Sequence, residues 1–310
     1  MAATHPPTLL TLASQALRSG DLVPPGARVL AAVSGGPDSM ALVHVLSRLQ
    51  ERFGFRVTAC GVDHGLRESA AAELDLAEEA CGRWDVPFHR VALGLDAGGN
   101  LHARARAARY AALRAKAAEL GATRIATGHH ADDRAETVIL RLARGAGPRG
   151  LAVLPLRAGE LIRPLLRARR TTIEAHLARH RIPFAVDPSN LDPRFDRARV
   201  RARVLPALEE LSPRIVDHLN ALADRFLEQR GDGGDDEPGG ALVRATQEAI
   251  RAFARAEGAG GPLTLELPGG LVATYVRGSL SVTLVKSPKS APRWKHRNPG
   301  GTHPSTRPKR

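Results

Sequence analysis

Apolar residues in the first half of the chain come in two alternating patterns. Short, nearly unbroken apolar runs at 28–33, 56–62, 88–92 and 124–127 have the length and composition of buried strands. Between them lie longer stretches at 38–52, 68–84, 101–120 and 132–144 with helical spacing, preceded by an introductory helical stretch at 8–18. This strand–helix alternation predicts an α/β fold, a parallel sheet with helices on both faces. After a glycine-rich turn at 145–150 the pattern predicts one more pass, a helix at 170–180 followed by an extended Pro183-Phe184-Ala185-Val186. A basic segment at 194–203 leads into helical runs at 199–210 and 213–229. Residues 231–240 are polar and turn-rich and read as a linker. Beyond them come a helix at 241–256 and strand-like runs at 263–267 and 271–285, separated by Gly269-Gly270. The expected organisation is a nucleotide-binding domain over 1–211, a small, mostly helical second domain over 212–285, and a tail over 286–310 whose composition predicts disorder.

Ligands in open parallel sheets bind at the carboxyl ends of the strands. Three motifs fall there. The first is Ser34-Gly35-Gly36-Pro37-Asp38-Ser39, between a strand and a helix. Two glycines let backbone N–H groups approach an anion, and the helix N-terminus adds the positive end of its dipole. Ser34 and Ser39 add hydroxyls, and no Walker lysine follows. The second motif is Val62-Asp63-His64-Gly65-Leu66-Arg67. The third is Gly128-His129-His130-Ala131-Asp132-Asp133-Arg134-Ala135-Glu136-Thr137, which closes a strand and opens a helix. Asp133 and Glu136 lie three apart and share a helix face, suiting magnesium or an amine, while Asp132 suits an N-cap. Gly145-Ala146-Gly147-Pro148-Arg149-Gly150 matches a dinucleotide fingerprint in letters only, because it follows a helix rather than a strand.

Charge changes the picture. The chain of 310 residues carries a net charge of +13, which favours a polyanionic partner. Eight cations with no acid lie in residues 286–310, so the remainder is only moderately basic. No apolar run approaches the roughly 18 residues of a membrane span, and no export signal opens the sequence, so a cytoplasmic location is expected. Cys60 and Cys81 belong to no Cys-x-x-Cys and read as reduced core residues.

The phosphate loop resembles that of the ATP pyrophosphatases, the PP-loop superfamily with a Rossmann-like sheet. With it occur, in order, Val62–Arg67, Ala105-Arg106-x-x-Arg109-Tyr110, His129–Thr137, Arg163-Pro164-Leu165-Leu166 and Asp187-Pro188-Ser189-Asn190. Together they resemble the tRNA(Ile)-lysidine synthetases over about 28–210, and more weakly over 241–285. The resemblance implies a ligase that adenylates C2 of the wobble cytidine (position 34) of the CAU-anticodon isoleucine tRNA. Free L-lysine would then displace AMP to form lysidine, with AMP and pyrophosphate released. It implies ATP and Mg2+ as cofactors, Ser34, Gly35, Gly36, Pro37, Asp38 and Ser39 around the phosphates, and Asp38 as the residue orienting magnesium or the loop. It makes Asp38, His129, Asp133 and Glu136 catalytic, and assigns Arg106, Arg109, Arg197, Arg199 and Arg201 to RNA. For His64 and Arg163 structural hydrogen bonding serves as well as catalysis. The chain departs from the family at Arg134, usually Gln, and at Ala198, usually Asn. The alternatives are a PP-loop tRNA thiolase, a superfamily amidotransferase and a non-catalytic RNA-binding protein. The oligomeric state stays open, a homodimer being one option.

The tail should add affinity without choosing among tRNAs, because its cations sit in a Pro/Gly-rich stretch with no periodic apolar face. If about three of them engage, deleting 286–310 flattens the log–log salt dependence of tRNA binding by roughly 2–3 units. Binding isotherms at several salt concentrations check this, and an unchanged slope refutes it.

Overall fold

A computed structural model of the chain describes residues 7–19, 21–63, 65, 69–93, 101–186, 192 and 194–230, together with three strands between 263 and 284. Several expected features lie outside these residues: His64, Leu66 and Arg67, the Asp187–Asn190 motif, the linker at 231–240, the helix at 241–256 and the tail. The chain divides into two units, 1–240 and 241–310.

The first unit is built on a six-stranded sheet. Strands β1 (Arg28–Val33), β2 (Arg56–Asp63), β3 (Phe88–Ala92) and β4 (Arg124–Ala126) coincide with the four apolar runs to within a residue. Two short strands follow, β5 (Arg157–Ala158) and β6 (Leu161–Ile162), a hairpin turned at Gly159 with φ +58°. The spatial order is β3-β2-β1-β4-β6-β5, and every pairing is parallel except β5 with β6. Only two residues long each, β5 and β6 left no periodic signature in the sequence.

Strand β1 is central and buried on both sides, as its unbroken apolar run requires. Val29, Ala31 and Val33 enter one core with α1 (Leu9–Ser19), α2 (Pro37–Phe53), α3 (Ser69–Arg83) and α7 (Arg170–His180). Leu30 faces the other core, with Cys60, Ile125 and the Tyr110, Leu113 and Ala117 side chains of α4 (Leu101–Glu119). The period of two in the strand therefore sorts helices onto both faces. A third cluster joins α5 (Ala131–Ala143) and α6 (Pro148–Leu151) to α9 (Leu205–Leu211) and α10 (Ile215–Arg230).

From β1 the chain winds outward through β2 and β3, then returns to place β4 on the opposite side of β1. The strand order reverses between β1 and β4, and a crevice opens there at their carboxyl ends. The phosphate loop follows β1 and the His129–Glu136 segment follows β4, so topology brings these two motifs together.

Four details differ from the sequence reading. Residues 183–186 form no strand, although the Ala185 N–H donates to the Gly35 carbonyl at 2.9 Å. The helical run near 199–210 is α8 (Asp196–Arg199), a π-helical turn Val200–Val204, and α9. The first unit extends beyond the expected 211/212 boundary, since α10 packs on α5 and Asn220 donates to the Ala131 carbonyl at 2.9 Å. In the second unit the described residues form an antiparallel sheet of β7 (Leu263–Leu267), β8 (Leu271–Val276) and β9 (Ser279–Leu284). The run read as one strand over 271–285 is thus a hairpin.

Helices α2 and α7 meet through His44 and His176, both buried, with Nδ1 of the first 3.0 Å from Nε2 of the second. Burial, aided by His180 and Arg48, pushes His44 down to about 4. Burial, with His44, His180 and Arg179 adding to it, pushes His176 down to about 4 as well. Protons then bind more tightly to the unfolded chain, so this pair's contribution is full above pH 6.5 and is lost as pH falls toward 4. The expected loss is on the order of 3 kcal/mol for the coupled pair. Urea unfolding across that range should show a shallower pH dependence in His44→Gln/His176→Gln, and equal slopes would refute the pairing.

Candidate active site

The loop after β1 is shaped by what glycine alone permits. Gly35 has φ +78°, and a Cβ there would lie 2.5 Å from the Glu73 carbonyl oxygen on α3. Gly36 is the extended N-cap of α2 and Pro37 opens the helix, where its missing N–H costs nothing. Ser39 Oγ donates to the Gly36 carbonyl at 2.9 Å and accepts from the Ser34 N–H at 3.2 Å. Its hydroxyl therefore holds the loop in shape rather than standing free for phosphate. Ser34 is exposed at the mouth. The result is a ring of backbone N–H groups at the start of a 17-residue helix, a ready anion cradle.

The loop after β4 presses against it. A Cβ on Gly128 would sit 3.0 Å from the Asp38 carbonyl carbon and oxygen and 3.2 Å from the Ser39 nitrogen. Gly128 belongs with the functional residues because a Cβ there would press on the main chain of the phosphate loop. His130, not Asp132, is the N-cap of α5, and its N–H donates to Asp133 Oδ2 at 3.1 Å. The His130 ring is fully buried among three carboxylates, 3.4 Å from Asp132, 3.4 Å from Asp133 and 3.6 Å from Asp38. Burial pulls its pKa down, but Asp133, Asp132 and Asp38 outweigh that and leave it raised. Asp38 itself is raised above the ordinary carboxylate value by burial, against the pull of His130. His130 was missed in the sequence because its neighbour His129 carries the same letter; only the fold tells which ring turns inward.

His129 takes the other direction. Its Nδ1 lies 2.9 Å from Thr127 Oγ1, and burial, with Arg163, Arg106 and Arg197 nearby, pushes it down to about 3 despite Asp133. It is neutral at physiological pH and a poor proton acceptor.

The acidic face expected to receive an amine is already occupied by arginines. Glu136 is fully buried, its Oε1 accepting from Arg201 Nε at 2.7 Å and its Oε2 from Arg197 Nε at 2.8 Å. Asp133 accepts from Arg197 at 3.1 Å, lies 3.7 Å from Arg201, and is held well below the ordinary carboxylate range: the burial cost is overcome by His130 and Arg197. Asp132 accepts from the Arg170 N–H at 2.8 Å and from Arg169 at 3.1 Å, and Arg169 also holds Glu209 at 2.5 Å. A carboxylate without water needs such partners. Arg197 and Arg201 thus turn inward to Glu136 instead of outward to RNA, and Glu136 is an anchor rather than a carboxylate open to an ammonium. Arg199 is exposed and pairs with Asp196.

Arg106 stacks over Tyr110 at 5.2 Å, close enough to influence His129. Arg109 is lowered by burial and by Arg106. Neither has a carboxylate partner among the described residues, so both remain available to an anion. Arg163 is buried and donates to the Pro155 carbonyl at 2.7 Å. The two departures from the family pattern are buried. Ala198 is packed in α8, and Arg134 donates to the Val153 carbonyl at 3.0 Å and pairs with Asp224 of α10 at 2.8 Å. Arg134 points away from the crevice and rivets α10 to α5.

Residues 11–208 match the family model of the ATP-binding PP-loop domain. The tRNA(Ile)-lysidine synthase of Thermobifida fusca is 40% identical over 252 residues, covering 75% of this chain and 76% of that protein. The chain belongs to the tRNA(Ile)-lysidine synthase family. The Thermotoga maritima synthase is 38% identical over 197 residues, which span 62% of this chain and about half (48%) of that relative's length. Among solved structures, the U34-tRNA thiolase NcsA from Methanococcus maripaludis superposes with a TM-score of 0.59 at 18% identity, over 70% of this chain and 78% of that one, a likeness of fold. In this lysidine synthase family member no helix among the described residues is long and apolar enough to cross a membrane.

An anchoring Glu136 makes a distinct prediction. Glu136→Gln should lower the unfolding free energy by about 3–5 kcal/mol without any substrate present, since two guanidiniums lose their charge partner. Urea denaturation measures it; a stability within about 0.5 kcal/mol of the wild type would return Glu136 to the role of an open substrate ligand.

Proposed function

We propose that the chain ligates lysine to C2 of the wobble cytidine of the CAU-anticodon isoleucine tRNA, using ATP and releasing AMP and pyrophosphate. The observation carrying this reading is the contact between the phosphate loop and the His130–Asp133 turn at the switch point, in a chain of this family. The backbone N–H groups of Gly35, Gly36, Asp38 and Ser39 would hold the β- and γ-phosphates. Magnesium prefers one or two carboxylates plus phosphate oxygens, and Asp38, partly exposed with no guanidinium bonded to it among the described residues, fits that demand. Bound there, the ion would neutralise charge on the triphosphate. Arg106 and Arg109 would meet the α-phosphate or the RNA.

The reaction then divides into two displacements. The cytidine O2 attacks the α-phosphorus and pyrophosphate leaves; the lysine ε-amine attacks C2 and AMP leaves. A free amine at pH 7 costs roughly 4.6 kcal/mol, because lysine titrates near 10.4. Asp133 would attract the ammonium but would also keep it protonated. The cations beside His129 oppose this, since like charges favour the neutral amine. His129 would orient the amine by hydrogen bonding and not accept its proton. Burial pushes the Cys60 and Cys81 thiols up to about 11 and about 12, so neither suits the persulfide chemistry of a thiolase.

Radiolabelled lysine should enter an unmodified isoleucine tRNA transcript with CAU anticodon, at one pyrophosphate per lysine, and should enter no other transcript in a panel. Pyrophosphate release that ignores lysine, or no incorporation by the folded protein, overturns the reading.

A further inference from the structure

Helix α1 and the C-terminal half of α2 enclose a groove of about 400 Å³ that takes no part in the site described above. Its rim carries Arg18, Arg48 and Arg52, all exposed. Its floor is Leu10 and Leu49, and Thr11, Ser14 and Gln15 add neutral polar groups. None of the three arginines has a carboxylate partner among the described residues; Glu51, between two of them in sequence, is paired with neither. The guanidiniums of Arg18 and Arg52 lie 5.8 and 6.0 Å from the Phe53 ring, so cation–π contact holds both at the rim. Other arginines of this chain do face acids, as Arg90 faces Asp75 and Arg114 faces Glu160. Three converging guanidiniums left without an acid form a surface that an anion completes.

We infer that this groove is a second, non-catalytic contact for the phosphodiester backbone of the RNA substrate. The inference rests on the tRNA reading above. Arg48 and Arg52 are one helical turn apart and present forked donors suited to phosphate oxygens, and the apolar floor accommodates the ribose between phosphates. Arg52 lies fourteen residues beyond Asp38 on the same helix, which places the groove roughly 20 Å from the crevice. A tRNA whose wobble base is held at the start of α2 extends well past that distance. Contacts of this kind position the RNA and carry no sequence information.

The test uses the full chain and a fluorescent isoleucine tRNA transcript, with binding measured at several salt concentrations. Arg48→Gln/Arg52→Gln should flatten the log–log salt slope by roughly 1.5 units and weaken binding at low salt, with ATP binding unchanged. Arg83→Gln/Arg214→Gln, which removes two exposed cations that already face acids, should leave the slope near the wild-type value. Equal slopes in wild type and groove variant overturn the inference, as does equal flattening in the control pair. Loss of free AMP binding by the groove variant with an unchanged tRNA slope also overturns it, and gives the groove to a mononucleotide. These failures leave lysine incorporation intact. A wild-type chain that neither binds nor modifies tRNA removes the parent reading and the groove with it.

Discussion

Everything around the crevice follows from one constraint: the Glu136 carboxylate is shut off from bulk solvent. Placed at the second turn of α5 and fully buried, it must be met by cations from elsewhere in the chain. Arg197 and Arg201 supply them across more than sixty residues of sequence, and each fixes a side of the same carboxylate. Their spacing of four residues, from α8 into the π-helical turn, puts both guanidiniums on one side of the helix. Asp132 repeats the device with Arg169 and the Arg170 N–H, tying α7 to the same helix start. Two acids one turn apart therefore gather the later helices into the nucleotide-binding unit.

A second constraint acts at the other wall. Gly35 packs against the Glu73 backbone of α3, and Gly128 of the β4–α5 loop packs against the Asp38 backbone of the phosphate loop, so a side chain at either is opposed by main-chain atoms. Both glycines occupy places where backbone meets backbone, so nothing flexible can give way. This contact sets the Asp38 carboxylate beside His130 and makes the two halves of the crevice one electrostatic unit.

The sheet, its helices and the position of both loops were legible in the sequence because their signals are local: apolar runs, helical spacing and a glycine turn. The family resemblance told which loops belong to one site. What was not legible was the pairing. Asp133 and Glu136 sharing a helix face is visible in the letters, whereas occupation of that face by Arg197 and Arg201 is a fact of tertiary distance. The choice between His129 and His130 is likewise set by which ring the helix start buries. Arg134 shows the same limit, since its departure from the family pattern looked like a change at the site and is answered by Asp224 on a distant helix.

The inward-turned arginines bear on how an ammonium substrate could react here. A pocket lined by carboxylates alone would bind lysine well and hold its proton, so affinity and reactivity would oppose each other. Pairing Asp133 with Arg197 and setting Arg106 and Arg163 beside His129 makes the local potential mixed. One charged oxygen can still orient an ammonium, while the surrounding guanidiniums lower the cost of losing its proton and stabilise the departing phosphates. Burial, with the same guanidiniums adding to it, keeps His129 neutral, which turns a residue of the usual acid–base type into a fixed hydrogen-bonding group. If the site ligates lysine as proposed, binding a cation, deprotonating it and handling a triphosphate would be better served by this crowded mixture than by an excess of either sign.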